Sequence, residues 1–106
     1  MQWVKIFASE NEAKLRLAGK SLQLLILHDL RICLVQTGDS FYAVQDSCTH
    51  NGESLSKGHL NHIGEVICPW HNYCFNLQTG NEIQNRSKDL KTYPVKVDKT
   101  GFYIGI

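Results

Sequence analysis

The 106-residue chain has no long apolar run, no surplus of one charge and no nucleotide-binding turn. Its longest apolar stretch, Leu24-Leu25-Ile26-Leu27, falls far short of the roughly 20 residues that a membrane-spanning helix needs. Eleven Lys and Arg stand against ten Asp and Glu, a net charge of +1. Overall charge therefore gives no pull toward nucleic acid or anionic membrane, although a local charged docking face stays open. Met1-Gln2-Trp3-Val4-Lys5 has neither a basic segment leading into an apolar one nor a twin arginine, so a cytoplasmic location is expected. No glycine-rich strand-to-helix turn or phosphate loop is present. Nor does an acid, a base and a nucleophile stand out as a set, so the chain is not expected to catalyse a substrate reaction alone. Internal repeats, low-complexity runs and charge blocks are absent as well. The length suits one domain spanning 1–106, and 42% hydrophobic residues suffice for a buried core.

The chemistry lies in what remains. Cys48-Thr49-His50 and Cys68-Pro69-Trp70-His71 are two knuckles, each offering one thiol and one imidazole. Two thiols and two imidazoles in matched pairs from two loops suit a two-iron site, with one iron on sulfur and the other on nitrogen. The competing reading is structural zinc in a zinc-stabilised interaction module. Zinc sites with two Cys and two His usually group Cys with Cys and His with His, whereas each knuckle here is mixed. Of the other cysteines, Cys33 in Ile32-Cys33-Leu34-Val35 reads as a small buried hydrophobe, and Cys74 as an unpaired thiol in the strand leaving the site. His28 reads as a turn residue, and His59 and His62 as solvated loop residues.

Short strands separated by turn signals run along the chain. Trp3 to Phe7 is the first expected strand, and Ala13 to Leu17, with alternating apolar residues and Gly19 after it, the second. A short helix is hinted at only around Ser9 to Ala13. Leu22 to Leu27 and Arg31 to Gln36 should form a hairpin through His28-Asp29-Leu30. Thr37-Gly38-Asp39-Ser40 should turn into Phe41 to Val44. Tyr93 to Val97 and Phe102 to Ile106 should pair across Asp98-Lys99-Thr100-Gly101. The expectation is an all-β, small antiparallel sandwich or barrel. The loop-rich stretch from about 46 to 76, holding both knuckles, reads as a cluster-binding lobe inserted between its strands. Gly52, Gly58, Gly64 and Gly80 fit turns needing positive φ or close backbone approach. Pro69 restricts the second knuckle and removes a donor.

The knuckles and their surroundings resemble the Rieske-type ferredoxins that serve oxygenases. The resemblance is carried by Phe41-Tyr42-Ala43-Val44 before the first knuckle and Ser54-Leu55-Ser56-Lys57-Gly58 after it. It continues through Gly64-Glu65-Val66-Ile67, Phe75-Asn76-Leu77-Gln78-Thr79-Gly80 and Leu90-Lys91-Thr92-Tyr93-Pro94-Val95, and so covers nearly the whole chain. It implies one [2Fe–2S] cluster bound by Cys48, His50, Cys68 and His71. The cysteines would hold the inner ferric iron and the histidines the outer iron that takes the electron. The exposed imidazole edges would form the electron port. Asn51, Glu53, Trp70 and Asn72 would surround that port, with Trp70 shielding the cluster and Glu53 either docking or merely solvated.

The same resemblance implies a single-electron carrier between an NAD(P)H-dependent flavin reductase and a terminal oxygenase, docking near His50, His71 and Trp70. The Rieske-like small subunit of assimilatory nitrite reductase, often lacking the ligands, is the alternative. Respiratory Rieske proteins join their two cluster loops by a disulfide, whose cysteines would fall at Glu53 and Trp70 here, so that bridge cannot form. Hydroxyl donors to the cluster in those proteins would fall at Tyr73 and Phe75. Phe75 has no hydroxyl, which places the expected potential low in the class range of about −150 to +300 mV. Asn85-Arg86-Ser87-Lys88-Asp89 carries no proline where related ferredoxins often do, so this cover is expected to be differently shaped or more mobile.

Overall fold

Tight two-residue turns set most of the architecture. The computed structural model describes all residues, Met1–Ile106. Strand β1 (Trp3–Phe7) leads into helix α1 (Glu10–Leu17), followed by β2 (Leu22–Leu27), β3 (Leu30–Thr37) and β4 (Ser40–Gln45). His28 and Asp29 both take positive φ, 47° and 68°. They form a turn whose twist matches the flanking strands, and Leu30 already pairs with Leu27. The hairpin is therefore tighter than the three-residue loop expected. Gly38-Asp39 joins β3 to β4 in the same compact way, with Thr37 paired to Ser40.

A single-turn helix at Leu55–Lys57 and three short strands follow: β5 (His59–Leu60), β6 (Glu65–Ile67) and β7 (Cys74–Asn76). The chain returns through β8 (Thr92–Tyr93), β9 (Val95–Asp98) and β10 (Gly101–Gly105). These make three antiparallel sheets, in the orders β1-β10-β9, β2-β3-β4-β8 and β5-β6-β7. Of the two expected shapes the barrel is not found: the sheets stay separate and none closes on itself. Tyr93 to Val97, expected as one strand, is split at Pro94. That residue has no N–H to give a ladder, so Tyr93 stays with β4 while Val95 pairs with Ile104 of β10.

The β2-β3-β4-β8 sheet is the middle layer, and its strands are apolar on both faces. On β3, Ile32 and Leu34 join one core with Phe7, Ala13, Leu17, Ala43, Tyr93, Phe102 and Ile104. Cys33 and Val35 point the other way, into a second core with Val44, Cys48, Leu55, Val66, Cys68, Phe75, Leu77 and Leu90. Successive strand residues face opposite sides, so a strand covered twice reads as the unbroken run Ile32-Cys33-Leu34-Val35. Cys33 is wholly buried there, and desolvation raises its thiol far above the ordinary range, as a packed apolar group requires. An edge-to-face contact of Phe102 with Phe41 (4.9 Å) ties the outer sheet to the middle one, and Phe102 meets Phe7 within the outer sheet at 5.4 Å.

The second expected strand is a helix. Ser9 is extended and its Oγ accepts the Glu12 N–H at 3.1 Å, while the Glu12 carboxylate accepts the Ala8 N–H at 3.0 Å. The first bond satisfies one orphan donor at the helix start, and the second fixes the residue before the cap. Ala13 and Leu17, four apart, are buried on one face, whereas Leu15 between them is 76% exposed. The apparent alternation of Ala13, Leu15 and Leu17 was thus the helical period sampled at odd positions. Ser9→Ala should cost about 1 kcal/mol of stability, read from the urea midpoint at unchanged slope. Leu15→Ser should change it little.

Candidate metal centre

Both knuckles are loops closed in the same way. In the first, the Cys48 N–H donates to the Glu53 carbonyl at 2.8 Å, next to the Ser47–Ser54 bridge. In the second, the Cys68 N–H donates to the Tyr73 carbonyl at 2.9 Å, extending the β6–β7 ladder. Each loop thus spans the same length from its cysteine N–H to the closing carbonyl. Each also closes with left-handed residues: Gly52 (φ 78°) in the first, His71 (φ 62°) and Asn72 (φ 54°) in the second. Gly58 lies so near β6 that a Cβ there would meet the Ile67 carbonyl oxygen at 2.0 Å. Only glycine permits that approach of the first loop's tail to the strand feeding the second.

A buried carboxylate roots the first loop. Asp46 is fully buried, accepts from the Ser54 hydroxyl and from the Ser56 N–H at 2.8 Å, and faces the Arg31 guanidinium at 3.6 Å. Its own carbonyl accepts the Leu55 N–H at 2.7 Å. The Ser54-Leu55-Ser56 segment is therefore fixed by polar bonds at its edges and by Leu55 in the core between them.

The four candidate ligands are brought together but sorted by type. Cys48 and Cys68 are buried in the second core, 2% and 0% exposed, and are not joined by a disulfide. His50 and His71 are exposed, with ring centroids 5.5 Å apart and planes at 78°. The thiols lie inside and the imidazoles outside. Burial pushes the Cys68 thiol up to about 11, and the adjacent Cys48 thiol opposes its ionisation as well. A thiol held up in this way gives up its proton when a cation compensates the thiolate, as metal binding does. A structural zinc needs four donors around a single centre, whereas two paired sets suit two metals. The donor set therefore fits a two-iron cluster.

The other sequence candidates sit apart. His59 lies on β5 opposite Ile67, His62 and His28 are exposed, and Cys74 begins β7 with its thiol on the Asn72 carbonyl at 3.4 Å. Phe75 is wholly buried between the thiols and the rest of the second core. Glu53 is not a free loop charge: its carboxylate accepts the Trp70 indole N–H at 2.6 Å and the Ser54 N–H at 3.1 Å. Trp70 is 55% exposed, so a large part of its ring faces the rim. Asn51 stiffens the same rim, its side-chain oxygen accepting the Glu53 N–H at 3.0 Å.

The proline-free cover is firmly held. Glu82, fully buried, takes both Arg86 Nε (3.0 Å) and a terminal Arg86 nitrogen (2.9 Å), together with the backbone N–H of Arg86 (2.9 Å). The Thr49 hydroxyl reaches the Lys88 carbonyl at 2.6 Å and Ser87 Oγ at 3.0 Å. These contacts anchor the loop at both ends, through Glu82-x-x-x-Arg86 and through Thr49. The Arg86 guanidinium lies 3.8 Å over the Tyr73 ring, which stacks on His50 at 3.9 Å and 12°.

Residues 2–94 match the Rieske [2Fe-2S] domain, and the chain belongs to that family. It is 38% identical over 76 residues to the 3-phenylpropionate/cinnamic acid dioxygenase ferredoxin subunit of Escherichia coli (strain K12), covering 71% of this chain and 72% of that protein. The subunit of the same name in Shigella boydii serotype 4 (strain Sb227) matches to the same extent. Among solved structures, the ferredoxin of carbazole 1,9a-dioxygenase from Nocardioides aromaticivorans IC177 shares the fold at a TM-score of 0.82, with 23% identity over 99% of this chain and 98% of that one. A chain in a complex of reduced oxygenase and oxidized ferredoxin of carbazole 1,9a-dioxygenase matches at 0.80 and 27%, covering 97% and 92%. The group that goes with this family is a Rieske-type [2Fe–2S] cluster. No helix is long and apolar enough to cross a membrane.

The Arg86 contacts hold the Glu82 carboxyl down at about 2, from the ordinary 4.5. A lowered folded-state value stabilises the fold above the unfolded value and loses that contribution as pH falls through the folded one. Stability should therefore drop between pH 4.5 and 2. In Glu82→Gln this part of the slope should vanish, as read from urea unfolding of both proteins in the same iron-loaded state.

Proposed function

We propose that the chain is a one-electron carrier in which Cys48 and Cys68 hold one iron of the cluster and His50 and His71 the other. The observation that carries this reading is the sorting of the donors, thiols buried and imidazoles exposed on one tip. When bound, the cluster would accept a single electron more readily than an all-cysteine one, because two neutral imidazoles replace two thiolates. The chain's own residues do the rest. The second core excludes water from the sulfur side, and the closed knuckle loops fix both cysteines. The exposed histidines leave a short path to whatever docks on the tip.

The proposed partners are a terminal oxygenase, which receives the electron, and an NAD(P)H-dependent flavin reductase, which supplies it. Both would dock over His50, His71 and Trp70. The oxygenase is supported by the dioxygenase ferredoxin subunits that this chain resembles and by the oxygenase–ferredoxin complex among the structural matches. The reductase follows from the need for a source of single electrons. A cytoplasmic location belongs to the same proposal, since NAD(P)H is the ultimate donor. Residues from about 46 to 76 form the cluster-binding lobe within one domain spanning 1–106.

The protein should be red-brown and contain about two irons and two sulfides per chain. Cys68→Ala and His71→Ala should abolish the native visible absorption and iron content, while Cys33→Ser and Cys74→Ser should keep them. Stoichiometric zinc without visible absorption, in protein made with ample iron, would overturn the reading. Loss of the spectrum in Cys74→Ser would overturn the ligand assignment.

Phe75 packs without exposure in the core that holds both thiols. A hydroxyl donated to sulfur there favours the more negative, reduced form. Phe75→Tyr should therefore raise the reduction potential by about 60 mV for each ~1.4 kcal/mol of differential stabilisation. Voltammetry of both proteins measures it, and an unchanged or lower potential with the hydroxyl seen at sulfur would refute this role.

A further inference from the structure

Behind His50 stands a column of side chains outside the ligand set. It starts at the buried Glu82, whose two oxygens grip the Arg86 guanidinium as a planar fork. Such bidentate pairs fix orientation as well as charge. The held guanidinium lies 3.8 Å over the Tyr73 ring, and Tyr73 lies 3.9 Å from the His50 ring at an interplanar angle of only 12°. His50 also makes an edge-to-face contact with His71 at 5.5 Å. The contacts that orient the His50 ring are therefore aromatic. A metal-bound histidine usually has its ring plane set by an outer partner, commonly a carboxylate or carbonyl.

The rest of the cover loop braces this arrangement. Asn81 Nδ2 reaches Asn85 Oδ1 at 2.9 Å and Asp89 Oδ1 at 3.1 Å. Thr49, next to His50, bonds to Lys88 and Ser87. The loop is thus fastened to the residue before His50 and, through Arg86 and Tyr73, to the face of its ring.

We propose that Arg86 is a positioning residue for His50: held by Glu82, it presses Tyr73 flat against the imidazole and fixes the plane of that ring at the point where the electron leaves. Arg suits this task because its planar, delocalised cation stacks on an aromatic face and forks onto a carboxylate at once, which Lys does not do. The stacked tyrosine also closes one face of His50 to a docking partner, leaving the His71 and Trp70 side as the approach. The proposal rests on His50 being a ligand.

The test compares Arg86→Lys, Tyr73→Phe and Tyr73→Leu in the iron-loaded protein. Iron and sulfide content is measured first, then the electron paramagnetic resonance spectrum of the reduced form with its nitrogen hyperfine couplings, and the reduction potential. Tyr73→Phe keeps the stack and should retain the parent spectrum and couplings. Arg86→Lys and Tyr73→Leu should keep full iron but shift the couplings of one histidine, broaden the spectrum and move the potential. Parent spectra and potentials in both, at full iron, would overturn the proposal. So would equal loss of iron in Tyr73→Phe and Tyr73→Leu, which would give residue 73 a purely structural role. If Arg86→Lys does not load iron, the Tyr73 pair decides, since it leaves the Glu82–Arg86 fork intact. A parent protein without iron would instead sink the ligand assignment, and is read before any variant.

Discussion

The middle sheet has to be apolar on both faces, and most other features of the molecule follow from that demand. One face of β3 and β4 packs under α1 and the β1-β10-β9 sheet, giving a core that needs no metal. The opposite face, through Cys33, Val35 and Val44, supports Cys48, Cys68 and Phe75. Scaffold and site are thus two sides of one sheet, one residue out of phase along each strand. A single-residue slip in β3 would exchange them, which is why the register is held at both ends by two-residue turns. It also explains why the two buried thiols sit at an apolar floor and not in a polar cleft. The floor raises the cost of the bare thiolate and leaves its neutralisation to the metal.

Above that floor little apolar material is left, and the tip is held by polar closure instead. Each knuckle spends one N–H on a carbonyl across its own loop, and Asp46 ties the first loop down from below. The second loop borrows the β6–β7 ladder. Gly80 continues the same economy on the far side: a Cβ would meet the Leu90 carbonyl oxygen at 2.2 Å, so the turn after β7 packs directly on the chain that returns to β8. Loops built in this way have few contacts to lose and correspondingly depend on the group they bind.

The candidate ligand set was legible in the sequence because two short motifs pair a thiol with an imidazole. The strands were legible where turns are spelled out, as at His28-Asp29 and Gly38-Asp39. Ala13 to Leu17 misled because alternate apolar letters fit a strand as well as a helix, and the deciding signal, Ser9 with Glu12, is a capping pair and not a pattern. Pro94 was visible, but its effect is to hand the chain from one sheet to another, and that depends on partners far away in sequence. The Arg86–Tyr73–His50 column was not legible at all. Its members lie on separate loops and meet only because Glu82 is buried, which no local feature of Asn81-Glu82-Ile83 announces.

One contact separates this tip from its respiratory relatives. Where those proteins join their cluster loops covalently, Glu53 and Trp70 meet here through a hydrogen bond of 2.6 Å. A disulfide contributes about 2–4 kcal/mol, chiefly by restricting the unfolded chain. A hydrogen bond to a charged group contributes about 1.5–3 kcal/mol at best, and this one is half open to water at Trp70. The bond also leaves the unfolded chain unrestricted, so the two loops are cross-linked only while folded. Under the proposed ligand set, the bound cluster is then the main strut between Cys48-Thr49-His50 and Cys68-Pro69-Trp70-His71.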